Sequence, residues 1–334
     1  MIDETAAPGW WVYEGGGQPH DGIDNLPDPP PWRDFGADGS GDTSIRRHIG
    51  RFIDSMARPD RETIDLVNAA IYLRRPLLVS GQPGTGKSTL AYSIAHELNL
   101  GSVLHWPITS RSSLADGLYQ YDAIGRLQEA RIDQADSGPR RADVGSFVRL
   151  GPLGTALLDR TRPRVVLIDE LDKSDVDLPN DLLNVFEEGT FVIPELERVP
   201  DDGDGASVYT ADPGVQAVVR HGRVQCNAFP IVVMTSNQER DFPPAFVRRC
   251  VRLHLRPPDT KQLEAMVAAH FGRVPNPMID QIVEFSLLQN DGKERAIDQL
   301  LNQVFLVATG QVAPTDPQWN FLAKLATPLG DDPQ

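Results

Sequence analysis

Apolar positions along this chain follow two alternating rhythms. From Arg61 to Arg74 they recur at helical spacing, with Ile64, Val67, Ala70 and Ile71 on one face. Pro76-Leu77-Leu78-Val79-Ser80 is then a short apolar run bounded by Pro and Gly, the form of a strand buried on both faces of a parallel sheet. Ser88–Leu98 returns to the helical rhythm, and Val103–Trp106 is a second strand. Arg164–Ile168 and Ile231–Thr235 are further buried strands, and Cys250–Leu255 is a fifth. Residues 112–160 mix both patterns, with a polar stretch from Asp133 to Gly145. Strands alternating with helices predict an α/β fold on a parallel sheet over residues 45–256.

After Arg256-Pro257-Pro258 the strands stop. Asp259–Phe271, Pro277–Asn290, Arg295–Thr309 and Pro317–Leu325 are all amphipathic at helical spacing. Asp259, with Gln262 three residues on, has the form of an N-cap, and Asp316 before Pro317 is a second start signal. A smaller all-helical domain is therefore expected over residues 257–328, with 329–334 as a tail. Residues 1–44 differ from both regions. Gly15-Gly16-Gly17 and Pro29-Pro30-Pro31 break the chain, yet Trp10, Trp11, Tyr13, Trp32 and Phe35 are aromatic anchors unusual in a plain tail. The segment is either a strap lying on a folded surface or a free tail.

The net charge is −15 over 334 residues, with 47 acidic and 32 basic side chains. Such a balance counts against a general nucleic-acid binder, which needs a cationic footprint. Residues 1–44 hold nine acids and one base (Arg33), so −8 of the charge lies there and −7 in the rest. The acidity is thus weaker evidence against nucleic acid than the total suggests. Cys226 and Cys250 are the two cysteines, too few and too far apart for a disulfide scaffold or a zinc site. No apolar run is long enough for a membrane span, so a cytoplasmic protein without a membrane partner is expected.

The chemistry concentrates at strand ends. Gly81-Gln82-Pro83-Gly84-Thr85-Gly86-Lys87-Ser88 fits G-x-x-x-x-G-K-[ST] and sits between a strand and a helix. Glycines let successive backbone N–H groups curl around a phosphate beside the positive end of the helix. Lys87 would reach the outer phosphates, and Ser88 would offer its hydroxyl to Mg²⁺. Gly81, Pro83, Gly84, Thr85, Gly86, Lys87, Ser88 and Thr89 are the expected nucleotide contacts. Arg164–Ile168 runs into Asp169 and Glu170, carboxylates at the edge where open α/β sheets bind ligands. Alternation along a strand gives them separate tasks: Asp169 for the metal, Glu170 for the attacking water. Asn237 ends another buried strand and could hydrogen-bond that water or the γ-phosphate. Arg248 and Arg249 follow, guanidinium groups suited to spreading transition-state charge. Arg295 opens a helix, where a cation is disfavoured unless an anion is near.

Together these residues resemble the AAA+ ATPases, and within them the MoxR-like group, over roughly residues 59–310. Gly81–Ser88 is similar to the Walker A motif and Val165–Glu170 to Walker B. Asn237 stands where sensor 1 is found, and Arg295 where sensor 2 is. Ala245-Phe246-Val247-Arg248-Arg249-Cys250 resembles the segment bearing the arginine finger, with Arg249 the finger and Arg248 its helper. Phe147–Leu153 resembles the Gly-Pro element before Walker B in MoxR proteins. The acidic leader and the acidic loop Asp201–Asp212 are additions to the pattern. The resemblance implies a P-loop AAA+ fold: a five-stranded parallel sheet with flanking helices, and a helical lid. It also implies ATP and Mg²⁺, a homo-oligomeric ring (a hexamer), and a protein client, frequently one with a von Willebrand factor A domain. Inserts are expected at residues 107–150 and 190–229, where Tyr119, Tyr121 and Phe191 either pack or face a central pore. Two other readings stand beside remodelling: a nucleic-acid-directed motor, and a nucleotide-gated scaffold with slow hydrolysis.

Overall fold

The computed structural model of the protein describes residues 61–135, 144–198, 205–271, 278–279, 282–283, 285–286 and 297–309. They fall into two compact units. One comprises residues 60–81 and 86–255; the other takes residues 82–85 and everything from Arg256.

The first unit opens with helix α1 (Arg61–Leu73) and strand β1 (Leu77–Ser80), then α2 (Lys87–Glu97) and β2 (Leu104–Pro107). Next come α3 (Leu114–Leu118), β3 (Tyr119–Tyr121) and α4 (Ala123–Ala135), then a 3₁₀ turn at Val144–Phe147, β4 (Val148–Leu150) and α5 (Pro152–Ala156). Strand β5 (Val165–Asp169) is followed by α6 (Leu178–Glu188), β6 (Thr190–Val192) and α7 (Pro194–Glu197). The unit continues through β7 (Ala206–Tyr209), β8 (Gln216–Val219) and β9 (Arg223–Gln225) to β10 (Ile231–Ser236), α8 (Pro244–Arg249) and β11 (Val251–His254).

Five of these strands form one sheet in the order β11-β1-β10-β5-β2, with every pair parallel. Val165, Val166, Leu167 and Ile168 are 0% exposed, which explains why β5 is continuously apolar rather than alternating. The register sets Ser80 opposite Ser236, and Met234 opposite Ile168, so β1, β5 and β10 end close together. All five strands lie within a residue or two of where the apolar runs predict them. Pro107 closes β2, tolerated because β2 is an edge strand.

A second sheet, in the order β3-β4-β7-β8, draws on both expected insert regions. Residues 112–160 show only a mixed pattern because the two strands they contribute, β3 and β4, are three residues long, too short to display a period of two. Their partners also lie far away in sequence: Arg149 of β4 pairs with Tyr209 of β7, and its guanidinium lies 5.3 Å over that ring. Strands β6 and β9 pair separately, antiparallel. Of the rings considered for a pore, Phe191 is buried and Tyr119 stacks on it with centroids 6.3 Å apart. The Tyr119 hydroxyl donates to Glu195 at 3.0 Å, and burial together with that carboxylate pushes it up to about 12. Tyr121 accepts a hydrogen bond from Arg126 at 2.7 Å. Tyr119 and Phe191 are therefore packing residues. Gly154 lets α5 lie against α3, since a Cβ there would stand 1.9 Å from the Leu118 carbonyl oxygen.

In the second unit, α9 (Thr260–Phe271) carries the predicted cap. Gln262 N–H donates to Asp259 Oδ1 at 2.8 Å, and Asp259 N–H to Gln262 Oε1 at 2.9 Å, a reciprocal capping box. With α10 (Ile297–Ala308) it encloses a core of Leu263, Val267, Met278, Ile282, Phe285, Leu300 and Val304. The helix expected at Pro317–Leu325, the leader 1–44 and Arg295 lie outside the described residues. No helix among the described residues is long and apolar enough to cross a membrane.

At the foot of β5, Arg164 is 8% exposed and clamps Asp212, in the turn between β7 and β8, with bonds of 2.7 and 2.9 Å. A further bond of 2.9 Å runs to the Ser102 carbonyl, just before β2. The Arg164 guanidinium holds Asp212 below its ordinary range, against the opposing effect of burial. Removing one partner of such a pair strands the other charge. Arg164→Ala should therefore cost about 3 kcal/mol in denaturant melts, and adding Asp212→Ala should restore much of that.

Candidate active site

The segment after β1 turns on glycines. Gly81, Gly84 and Gly86 have φ of 152°, 80° and 86°, values that L side chains rarely adopt. At Gly86 a Cβ would meet nothing within 4 Å, so the backbone angle rather than space calls for glycine. Gly86 caps α2 without any side-chain bond, and helix geometry points the N–H groups of the first turn toward the helix's N-terminal side. Thr85 closes part of the loop by donating to the Gln82 carbonyl at 2.9 Å. Pro83 and Gly84 are exposed, and Thr89 is half-buried in the first turn of α2. The helix directs Lys87 inward: it is 7% exposed and its Nζ donates to the Gly81 carbonyl at 2.7 Å. Burial lowers its pKa, opposed by the charges of Asp172, Asp169 and Glu170. A bound polyphosphate would add negative charge to that side of the balance.

One residue further along the same helix, Ser88 Oγ donates to Asp169 Oδ1 at 2.7 Å. The same carboxylate oxygen accepts from Thr235 Oγ1 at 2.6 Å, while His105 Nε2 lies 3.4 Å from Oδ2. Burial resists the charge on Asp169, but the bonds from His105, Thr235 and Ser88 outweigh it and lower the group from 3.8 to about 2. An ionised carboxylate beside a hydroxyl is the hard oxygen set that suits Mg²⁺. These residues fit that ion.

Strand β5 ends at Asp169, so pleat alternation is not what separates the two carboxylates. Glu170 turns into the left-handed region, φ 60° and ψ 48°, and opens a 3₁₀ turn at Leu171–Lys173. Its backbone N–H donates to Thr235 Oγ1 at 2.8 Å, and its side chain receives Lys173 Nζ at 2.8 Å. That turn also carries Asp172, 5% exposed, whose Oδ2 accepts the N–H groups of Asn237 at 2.8 Å and Glu239 at 3.1 Å. The turn bearing Asn237 is thereby tied to the turn bearing Glu170. Arg240 adds a second tie, donating to Ser174 Oγ and the Asp175 carbonyl at 2.9 Å each.

Arg248 and Arg249 lie outside this network. Both are exposed at the end of α8. Arg249 pairs with Glu187 of α6 and donates to the Ala245 carbonyl at 3.2 Å; Arg248 donates to Pro244 at 3.2 Å. Arg75 binds the carbonyls of both, at 2.9 Å for Arg249. Lys87, Ser88, Asp169, Glu170 and Asn237 are thus joined by bonds or charge, whereas the two arginines face partners of their own. The sequence reading missed Asp172, Lys173, His105, Arg240 and the role of Thr235. Thr235 had a signal, a polar residue inside an apolar strand and two positions before Asn237. Lys173 and Asp172 look like ordinary surface charges in the sequence.

The family profile of the AAA domain, dynein-related subfamily, matches residues 76–250. The chain belongs to this AAA family. Its matched span runs from the residue before β1 to the last residue before β11, and so holds the glycine loop, Asp169, Glu170, Asn237 and both arginines. Among curated proteins none matches the sequence. Among solved structures, a candidate ATPase from Cytophaga hutchinsonii aligns with 17% identity and a TM-score of 0.38, over 75% of this chain. This AAA chain spans 65% of the length of that protein.

Asp169 makes stability pH-dependent in a definite direction. Its folded value lies below its ordinary one, so the stabilisation is complete above about pH 4 and is lost as the pH falls towards 2. The wild-type chain should lose about 2 kcal/mol over that window from this group. Denaturant melts of Asp169→Asn across the same pH range should show a correspondingly flatter profile.

Proposed function

We propose that this AAA protein hydrolyses ATP with Mg²⁺ and uses the cycle to remodel a protein partner, in the manner of the MoxR-like group. The observation that carries the reading is the linked set of Ser88, Asp169, Thr235 and Glu170, next in the fold to a glycine turn and an uncapped helix end. Gly81–Gly86 and the first N–H groups of α2 hold the phosphates, Lys87 neutralises them, and Thr89 lies in the same first turn. Ser88 and Asp169 hold Mg²⁺, which when bound withdraws charge from the phosphate oxygens. Glu170 accepts a proton from the attacking water as the bond between the γ-phosphorus and its bridging oxygen breaks and ADP leaves. Asn237, held through its backbone by Asp172, orients that water. In a ring, Arg249 assisted by Arg248 reaches a neighbouring subunit's nucleotide, and Arg295 carries the change to the helical lid.

The protein partner is supported by the second sheet, β3-β4-β7-β8, which is separate from the nucleotide sheet and exposes Val218 on β8, with Val215 exposed in the turn just before it. A von Willebrand factor A domain is the partner type the MoxR likeness favours, and a hexamer its ring.

Glu170→Gln should bind ATP normally while turnover falls at least about 100-fold, measured by nucleotide binding and phosphate release on the same preparation. Substantial residual hydrolysis would remove Glu170 from the role of base. Arg249→Ala should be inactive alone, yet regain turnover when mixed with Lys87→Ala subunits, which supply an intact arginine. Phosphate release across mixing ratios reads this out, and no gain at any ratio would show that the arginine does not act between subunits.

A further inference from the structure

Thr235 is the fifth residue of a six-residue strand that is buried throughout, and it is 1% exposed. Packing alone would favour valine there, which has the same shape and no polar group to desolvate. The hydroxyl is kept, and both of its capacities are used. It has one proton, given to Asp169 Oδ1 at 2.6 Å. Its oxygen accepts the Glu170 N–H at 2.8 Å. The direction of the chain is fixed, because a carboxylate can only accept and an amide N–H can only donate. The parallel register explains the meeting: Met234 is opposite Ile168, which brings Thr235 level with Asp169.

The consequence is that one side chain sets two different things. Asp169 Oδ1 receives both Thr235 and Ser88, which fixes how the carboxylate is turned toward Ser88. Glu170 leaves the strand in a left-handed conformation disfavoured for a residue with a Cβ, and the Thr235 bond anchors its amide at that turn. Charge-assisted bonds to a carboxylate are the stronger kind, so the Asp169 end serves as the anchor and the Glu170 end as the arm.

We propose that Thr235 is a positioning residue for hydrolysis: its hydroxyl holds the metal-binding carboxylate and the base in register with each other. The proposal rests on the ATPase reading above. Thr235→Val removes the hydroxyl and keeps the shape; Thr235→Ser keeps the hydroxyl and removes the methyl. Thr235→Val should retain Mg²⁺-free affinity for a fluorescent ATP analogue within about twofold, and lose most of the gain in affinity that Mg²⁺ confers. Its kcat should fall roughly 10- to 100-fold with KM changing much less. Thr235→Ser should recover both the Mg²⁺-dependent binding and most of kcat. If Thr235→Val fails to fold, Ser and Ala at this position make the same comparison, since they differ by the hydroxyl alone.

Wild-type turnover that Glu170→Gln abolishes and Thr235→Val leaves within threefold would overturn this proposal alone. So would a Thr235→Ser variant as impaired as Thr235→Val, because packing would then account for the loss. A wild-type chain without ATP turnover would overturn the hydrolase reading and this proposal with it.

Discussion

A negative charge must be kept at the rim of an almost wholly apolar sheet. Asp169 follows four residues with no exposure, and burial alone would favour its protonated form. Three side chains from three elements prevent that: Ser88 from α2, Thr235 from β10 and His105 from β2. Each is present because the strand order places β5 between β10 and β2, and because α2 starts immediately after the glycine turn. Any topology that separated β10 from β5 would leave the carboxylate without Thr235. The parallel sheet and the site chemistry are therefore one constraint viewed at two scales.

The same economy governs the residues around it. The two turns that follow β5 and β10 carry Glu170 and Asn237, the groups proposed to act on a lytic water, and turns are ordinarily the softest parts of a fold. Here Asp172 stitches one to the other through two backbone N–H groups, and Arg240 adds a second stitch. A carboxylate buried to that degree is costly unless it is well bonded. Its Oδ1 makes no hydrogen bond among the described residues, while Lys87 lies within the reach of its charge. The network thus leans on the loop lysine for balance.

Much of this was legible in the sequence, for identifiable reasons. Buried parallel strands leave unbroken apolar runs, so Val165–Ile168 and Ile231–Met234 announced themselves. The glycine turn has a fixed spacing because its backbone angles exclude other residues. What escaped were features defined by meeting rather than by pattern. The second sheet depends on Arg149 finding Tyr209, sixty residues on, through strands too short to show a period. Asp172 and Lys173 carry charges of a kind found on any surface, and only the 3₁₀ turn reveals that one points inward and the other toward Glu170. The expectation that strand alternation separates Asp169 from Glu170 had the wrong geometry, since a left-handed turn does the separating.

That left-handed turn has a bearing on how this chain can change over time. At φ 60° a glycine is more comfortable than glutamate by roughly 1 kcal/mol. Replacing Glu170, the proposed base, by glycine would relax the backbone and keep an amide to donate to Thr235, while losing the pair with Lys173. On the proposed role, such a change would lose turnover at little cost to folding, because the relaxed turn offsets the loss of an exposed ion pair and the added freedom of glycine in the unfolded chain. A lineage could then drift into a nucleotide-binding form that folds about as well as its parent, and selection on the proposed hydrolysis is what would hold glutamate at position 170.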